Sequence, residues 1–294
     1  MKRKMIVSLG LVLILIVSLA ACGGGGSSSK DVAKDDHVMA LKFTAPESYE
    51  SVERYSEKKI SGELIEKDIT FTTEDGKKLV FACMPGQILS ELADTSSWET
   101  INKGGQDYYL YTSGDSRMAF AQVGDDMYAI SIDGGREELE DVLDTVKFDG
   151  SKTTQTDEPD LGKLKYDEKD CGNIYAYTVR RTEDPKGELV SSYVQWSYGE
   201  DEYTLDYRLA ITMYKNKSFD ELTAESGTTY IERVYGNATF GVAESEETPT
   251  LAYLQVGSDT YRFANNGQPN WLWVTRTEES EAAFVKLLES VSEK

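Results

Sequence analysis

Gln122-Val123-Gly124-Asp125-Asp126-Met127-Tyr128 returns 133 residues later as Gln255-Val256-Gly257-Ser258-Asp259-Thr260-Tyr261, with five identities in seven. On either side the matches stay in order. Leu41-Lys42-Phe43 answers to Leu164-Lys165-Tyr166, Gly62-Glu63-Leu64 to Gly187-Glu188-Leu189, and Ile69 and Phe71 to Val194 and Trp196. Leu89-Ser90-Glu91-Leu92 and Ile101 pair with Phe219-Asp220-Glu221-Leu222 and Ile231, both displaced by 130 residues. Leu139, Val142, Leu143 and Val146 match Phe284, Leu287, Leu288 and Val291, so each half closes on the i, i+3, i+4, i+7 apolar stripe of a helix. The displacement grows from 123 to 145 along the chain. Insertions in loops and hairpins leave stepwise growth of that kind, whereas chance matches scatter. These matches point to a tandem duplication.

Each half then reads the same way. Ile69-Thr70-Phe71 and Lys78-Leu79-Val80-Phe81 flank Glu74-Asp75-Gly76, where Asp-Gly supplies the positive φ of a tight hairpin. Its counterpart turns near Gly199-Glu200-Asp201. Short helices are expected over 87–93 and 218–223, the second with Ser218 as N-cap and Asp220 and Glu221 at the positive end of the dipole. Strands follow at 106–112, 118–123 and 127–132, and the closing helices run over about 137–147 and 278–290, Thr275 and Glu278 having capping-box spacing. Runs of strands with one or two helices per copy give an α+β fold: a duplicated antiparallel sheet, each copy closed by a C-terminal helix. The copies span 38–149 and 163–294, joined by a polar linker over 150–162 that contains Pro159.

Upstream of the duplication lies an export signal. Met1-Lys2-Arg3-Lys4 is a basic start and Met5 to Ala20 an apolar run, somewhat short to span about 30 Å of hydrocarbon. It ends in Leu19-Ala20-Ala21-Cys22, which resembles the lipobox of bacterial lipoproteins. The resemblance implies removal of residues 1–21, lipid on the Cys22 thiol, and a place at the extracytoplasmic face of the cell membrane. Four glycines and three serines from Gly23 to Ser29 suit a flexible tether, and the linker is taken as 22–37.

Composition excludes more than it assigns. With 52 acidic and 31 basic residues the formal net charge is −21, so a charged face for nucleic acid is ruled out and an anionic leaflet repels the body. His37, the sole histidine, sits in a polar stretch and reads as solvated, leaving no Ser-His-Asp or Cys-His arrangement. No P-loop, G-x-S-x-G or H-E-x-x-H occurs, and no cofactor is implied. Asp125-Asp126 and Asp157-Glu158-Asp160 offer hard oxygens, but the calcium-loop spacing is absent and no metal site is assigned. The layout resembles the PsbP-type domains of bacterial lipoproteins, through the aromatic-Thr-Ala-Pro segment Phe43-Thr44-Ala45-Pro46, a curved antiparallel sheet and a C-terminal helix. The second copy departs from it with Tyr166-Asp167-Glu168-Lys169. The resemblance implies a non-enzymatic binding or assembly role and transfers no catalytic residue.

Two features distinguish the copies. Cys83 and Cys171 are not repeat partners of each other; with Cys22 lipidated they allow one disulfide after export, or two buried thiols. The second copy holds 12 of the 18 tyrosines and three of the four tryptophans, and inserts Asn265-Asn266-Gly267-Gln268-Pro269-Asn270 before Trp271-Leu272-Trp273. Trp196, Tyr198, Trp271 and Trp273 are therefore the candidate ligand-binding residues, since rings beside amides suit sugars or peptides, although β-propensity also favours tyrosine in a half-buried sheet. The expected function is a non-enzymatic module for an envelope protein or glycan. The alternative is a carboxylate-dependent hydrolase of cell-wall or polysaccharide substrate, needing two acids about 5–10 Å apart in one cleft.

Overall fold

Asp75-Gly76 turns the chain as the sequence requires. Gly76 takes φ +79°, and the strands on either side pair in antiparallel register from Thr72↔Lys78 to Lys67↔Cys83. The computed structural model describes residues 35–149, 159–200, 205–267 and 276–293. They fall into two compact units, one holding the described residues up to Arg54 and from Ile65 to 149, the other Tyr55–Leu64 and the described residues from 159 onward.

The first unit carries β1 (Asp35–Val38), β2 (Leu41–Thr44), the start of β3 (Ser51–Lys59, which passes to the second unit at Tyr55), β4 (Leu64–Thr72) from Ile65 on, β5 (Lys78–Met84), helix α1 (Leu89–Leu92), β6 (Glu99–Lys103), β7 (Gln106–Ser113), β8 (Ser116–Val123), β9 (Asp126–Asp133), α2 (Arg136–Thr145) and β10 (Lys147–Phe148). Its strands run in the order β3-β4-β5-β9-β8-β7-β6, beside a small sheet β1-β2-β10. The apolar stripe of α2 buries Leu139 and Leu143 against β2, β8 and β9. Beneath it Phe43 stacks on Phe81 with ring centres 3.6 Å apart.

The second unit carries β11 (Leu164–Lys165), a 3-10 turn (Lys169–Cys171), β12 (Ile174–Glu183), β13 (Leu189–Gly199), β14 (Leu205–Tyr214), α3 (Phe219–Thr223), β15 (Tyr230–Tyr235), β16 (Ala238–Ala243), β17 (Leu251–Val256), β18 (Asp259–Gly267), α4 (Glu278–Ser290) and β19 (Ser292–Glu293). Its strands run β12-β13-β14-β18-β17-β16-β15. β14 takes β18 as neighbour rather than β15, which brings residues about fifty apart in sequence into register, Thr212 opposite Arg262. Ser218 caps α3 by accepting from the Glu221 N–H, as its spacing predicts. α4 lays Ala283, Phe284, Leu287 and Leu288 on the sheet. Burying Phe284, Leu287 and Leu288 contributes roughly 5–9 kcal/mol before chain entropy is counted.

The molecule is mostly β-sheet, more so than the expected α+β balance. α1 and α3 are single turns of four and five residues, and the regular helix of each unit is its closing one. Other differences have local causes. Asp35–Val38 forms a strand where a tether was expected, because a turn with Met39 at φ +53° folds it back on β2; His37 is half-buried there. Leu161, at the end of the 150–162 linker, is buried in the second core, and its carbonyl accepts from the Tyr261 hydroxyl at 3.0 Å. α4 is capped by Thr277, which accepts from the Ser280 N–H, so the capping pair lies two residues beyond Thr275. Among the described residues no helix is long and apolar enough to cross a membrane. Residues 1–34 lie outside the described residues, and with them the signal segment, Cys22 and the Gly/Ser tether.

Candidate functional site

Between their bulges β12, β13, β14 and β18 alternate, and the two faces they make have opposite chemistry. Val194, Trp196, Tyr198, Tyr207, Leu209, Ile211, Met213, Tyr261 and Phe263 face α4 and form the core. Trp196 is 5% exposed and packs on Tyr166 at 5.2 Å; Tyr198 is 1% exposed, stacks on Tyr207 at 4.8 Å and donates to the Glu168 carbonyl at 3.0 Å. These two rings fill the interior and present no surface to a ligand. Trp271 and Trp273 lie outside the described residues, as does part of the insertion before them.

Cys83 and Cys171 are both buried, and among the described residues no disulfide forms. Burial pushes the Cys171 thiol up to about 11, opposed by its hydrogen bond with Tyr198. Among the described residues no group of three or more His, Cys, Asp or Glu side chains is placed to hold a metal; Asp126 instead accepts from the Gly86 N–H at 3.1 Å.

The opposite face of the second sheet is basic. One row across four strands reads Arg180↔Tyr193↔Thr212↔Arg262. The next reads Thr178↔Gln195↔Ala210↔Ala264, and a third places Ser197 against Arg208. Because directly opposed residues of an antiparallel pair point to one side, three guanidiniums share this surface. Thr178, Ser197, Ala210 and Ala264 are buried as its floor, and the longer side chains, half-buried, stand around them.

The polar groups here are organised around Tyr193. Its ring lies 5.2 Å from the Arg180 guanidinium carbon, and its hydroxyl donates to Gln195 Oε1 at 2.9 Å. The same oxygen accepts from Asn266 Nδ2 at 2.9 Å; Asn266 is the extra residue of a bulge where β18 shifts register between Arg208↔Gly267 and Leu209↔Asn265. Arg262 Nη1 donates to the Tyr214 hydroxyl at 3.4 Å. Burial raises the Tyr193 phenol above the ordinary tyrosine range, against the pull of Arg180, Arg208 and Arg262, all three of which it senses.

The Nε–H groups of Arg180, Arg208 and Arg262 are buried and have no hydrogen-bond partner. Among the described residues none of the three forms an ion pair with a carboxylate, and Asp206, exposed two residues before Arg208, does not reach it. Other bases of the chain do pair: Arg181 with Glu183 at 2.6 Å, Lys215 with Asp259 at 2.8 Å, Arg136 with Glu99 at 2.7 Å. Buried donors are normally satisfied, so three orphans on one face are a property of a site rather than of a core. The alternation Arg208, Ala210, Thr212 against Leu209, Ile211, Met213 is readable in the sequence; that Arg180 and Arg262 share its face depends on the pairing of β14 with β18.

Fold and site together define a β-rich protein of two antiparallel sheet units, the second bearing an unpaired arginine face. No family model matches the chain, and no curated protein matches it. Among solved structures, the crystal structure of MucB in complex with MucA(peri) is similar over 84% of this chain and 93% of that chain, at 7% identity and a TM-score of 0.18, a likeness too slight to bear on fold or function.

Proposed function

We propose that the chain is a lipid-anchored, extracytoplasmic binding module that acts without turnover and engages a protein of the cell envelope through the basic face of its second sheet. The three buried, unpartnered Nε–H groups carry this reading. A stability-optimised sheet would pair or replace them; three such arginines retained on one face leave their outer Nη groups to a partner. The Leu19-Ala20-Ala21-Cys22 segment supports the anchor, with Cys22 as lipid acceptor.

The module arose, in this reading, by tandem duplication, and the same succession of three strands, short helix, four strands and closing helix in each half supports it. Duplication also locates the function. With Cys83 aligned to Met213 and Tyr128 to Tyr261, the row Tyr193↔Thr212↔Arg262 corresponds to Asp68↔Ala82↔Ala129 in the first unit. What both copies share serves the fold; Arg262 has Ala129 as its counterpart and Tyr193 has Asp68, while Arg208 aligns with Lys78, so it is the Arg262 row that belongs to one copy alone.

The test is site-specific photo-cross-linking in cells, with p-benzoylphenylalanine in place of Thr212, on the face, or of Lys77, exposed in the first unit. The reading expects a discrete envelope protein joined at position 212, absent at 77, and lost when Arg180→Gln and Arg262→Gln are added. Equal labelling at both positions, or labelling at 212 indifferent to the arginines, contradicts it.

A further inference from the structure

We propose that the occupant of this face is an acidic, extended peptide segment of the partner, whose Asp or Glu carboxylates seat on Arg180, Arg208 and Arg262. This deepens the binding-module reading and rests on it. Charge complementarity is the first ground. In a chain with 52 acids against 31 bases, carboxylates to quench three arginines are plentiful, yet among the described residues none does so. The second ground is geometry: the three guanidiniums are half-buried with their Nε atoms closed to solvent, which leaves the terminal Nη pair of each as the planar fork that a carboxylate accepts end-on with both oxygens.

Spacing fits an extended chain. Arg180 and Arg262 occupy one row three strand intervals apart, about 14 Å between backbones at ~4.8 Å per interval. Arg208 stands four residues along β14 from that row, about 13 Å. Acidic side chains four residues apart on an extended peptide, at ~3.3 Å per residue, span the same distance. The Gln195 and Asn266 amides between the arginines suit the peptide backbone. A sugar would want a bare aromatic ring, but the Tyr193 ring already faces the Arg180 guanidinium at 5.2 Å.

The full-length protein is titrated calorimetrically with hexaglutamate at about 0.15 M salt, where general repulsion is screened beyond ~8 Å. Hexaglutamine, hexagalacturonate and inorganic phosphate are the comparison ligands. Saturable binding of hexaglutamate is expected, weakened about tenfold or more by Arg208→Gln and by Arg262→Gln. Arg262→Lys, which keeps charge but not the fork, should also weaken it, and melting temperatures no lower than that of the unsubstituted protein show that folding is intact. Tighter binding of hexagalacturonate or phosphate than of hexaglutamate overturns the peptide assignment, as does hexaglutamate binding that ignores the arginines. If the cross-link at position 212 depends on the arginines while hexaglutamate neither binds nor competes, the acidic-peptide inference fails and the module stands; if the cross-link also fails, both fall.

Discussion

Replacing Arg208 by Met should make the protein more stable while removing part of its binding face. The buried Nε of Arg208 has no hydrogen-bond partner, and leaving such a donor unsatisfied costs about 1–3 kcal/mol. Arg262 lies about 14 Å away by strand geometry, and at an effective dielectric of ~20 two like charges at that distance repel by roughly 1 kcal/mol before salt screening. Met keeps an unbranched apolar stem over the same floor of small residues, so little packing is lost. The net expectation is a gain of about 1–3 kcal/mol, most of it from the removed donor, with the salt-screened repulsion adding a little in the same direction. Urea unfolding followed by tryptophan fluorescence measures it, because three of the four tryptophans lie beyond residue 157. A loss of 1 kcal/mol or more at unchanged denaturant slope would instead mean that Arg208 makes a structural contact.

Phe284→Ala removes a fully buried ring from the face of α4 and should cost about 3–5 kcal/mol in the same unfolding assay. Gly236→Ala should destabilise the second unit strongly, because φ is +56° there and an added Cβ would lie 2.2 Å from the Glu289 carbonyl oxygen; a melting temperature within a degree of wild type would contradict this. Burial raises the Tyr108, Tyr207 and Tyr253 phenols to about 12 from an ordinary 10.0, so the stability they confer is complete below pH 10 and drains away as pH rises from 10 to 12. Alkaline absorbance titration should accordingly show part of the tyrosine signal appearing only above the ordinary phenol range.

Much of the fold was legible because it rests on local chemistry. The Asp75-Gly76 turn, the Ser218 cap and the apolar stripe of 278–290 each declare an element within a few residues, and each forms. Asp35–Val38 did not declare itself: a charged four-residue strand has no period, and it is held by a turn with positive φ at Met39 that nothing in the composition demands. The aromatic-rich stretch of β13 was visible, but not which rings faced inward. Tyr193 differs in parity from Trp196 and Tyr198, so one side of the strand is core and the other surface. The arginines were the least legible. Arg180, Arg208 and Arg262 lie on three strands with up to 82 residues between them, and only the non-sequential pairing of β14 with β18 puts them on one face.

The most direct test of that face reads the orphan donors themselves. In a transverse-relaxation-optimised proton–nitrogen spectrum of the full-length protein, the Nε–H signals of Arg180, Arg208 and Arg262 can be assigned by single Arg→Lys variants. Adding hexaglutamate should shift all three as a carboxylate docks on the Nη end of each guanidinium, while Arg136, already bound to Glu99 and Glu140, stays in place. Signals of the three that remain fixed while that of Arg136 moves would contradict the proposal.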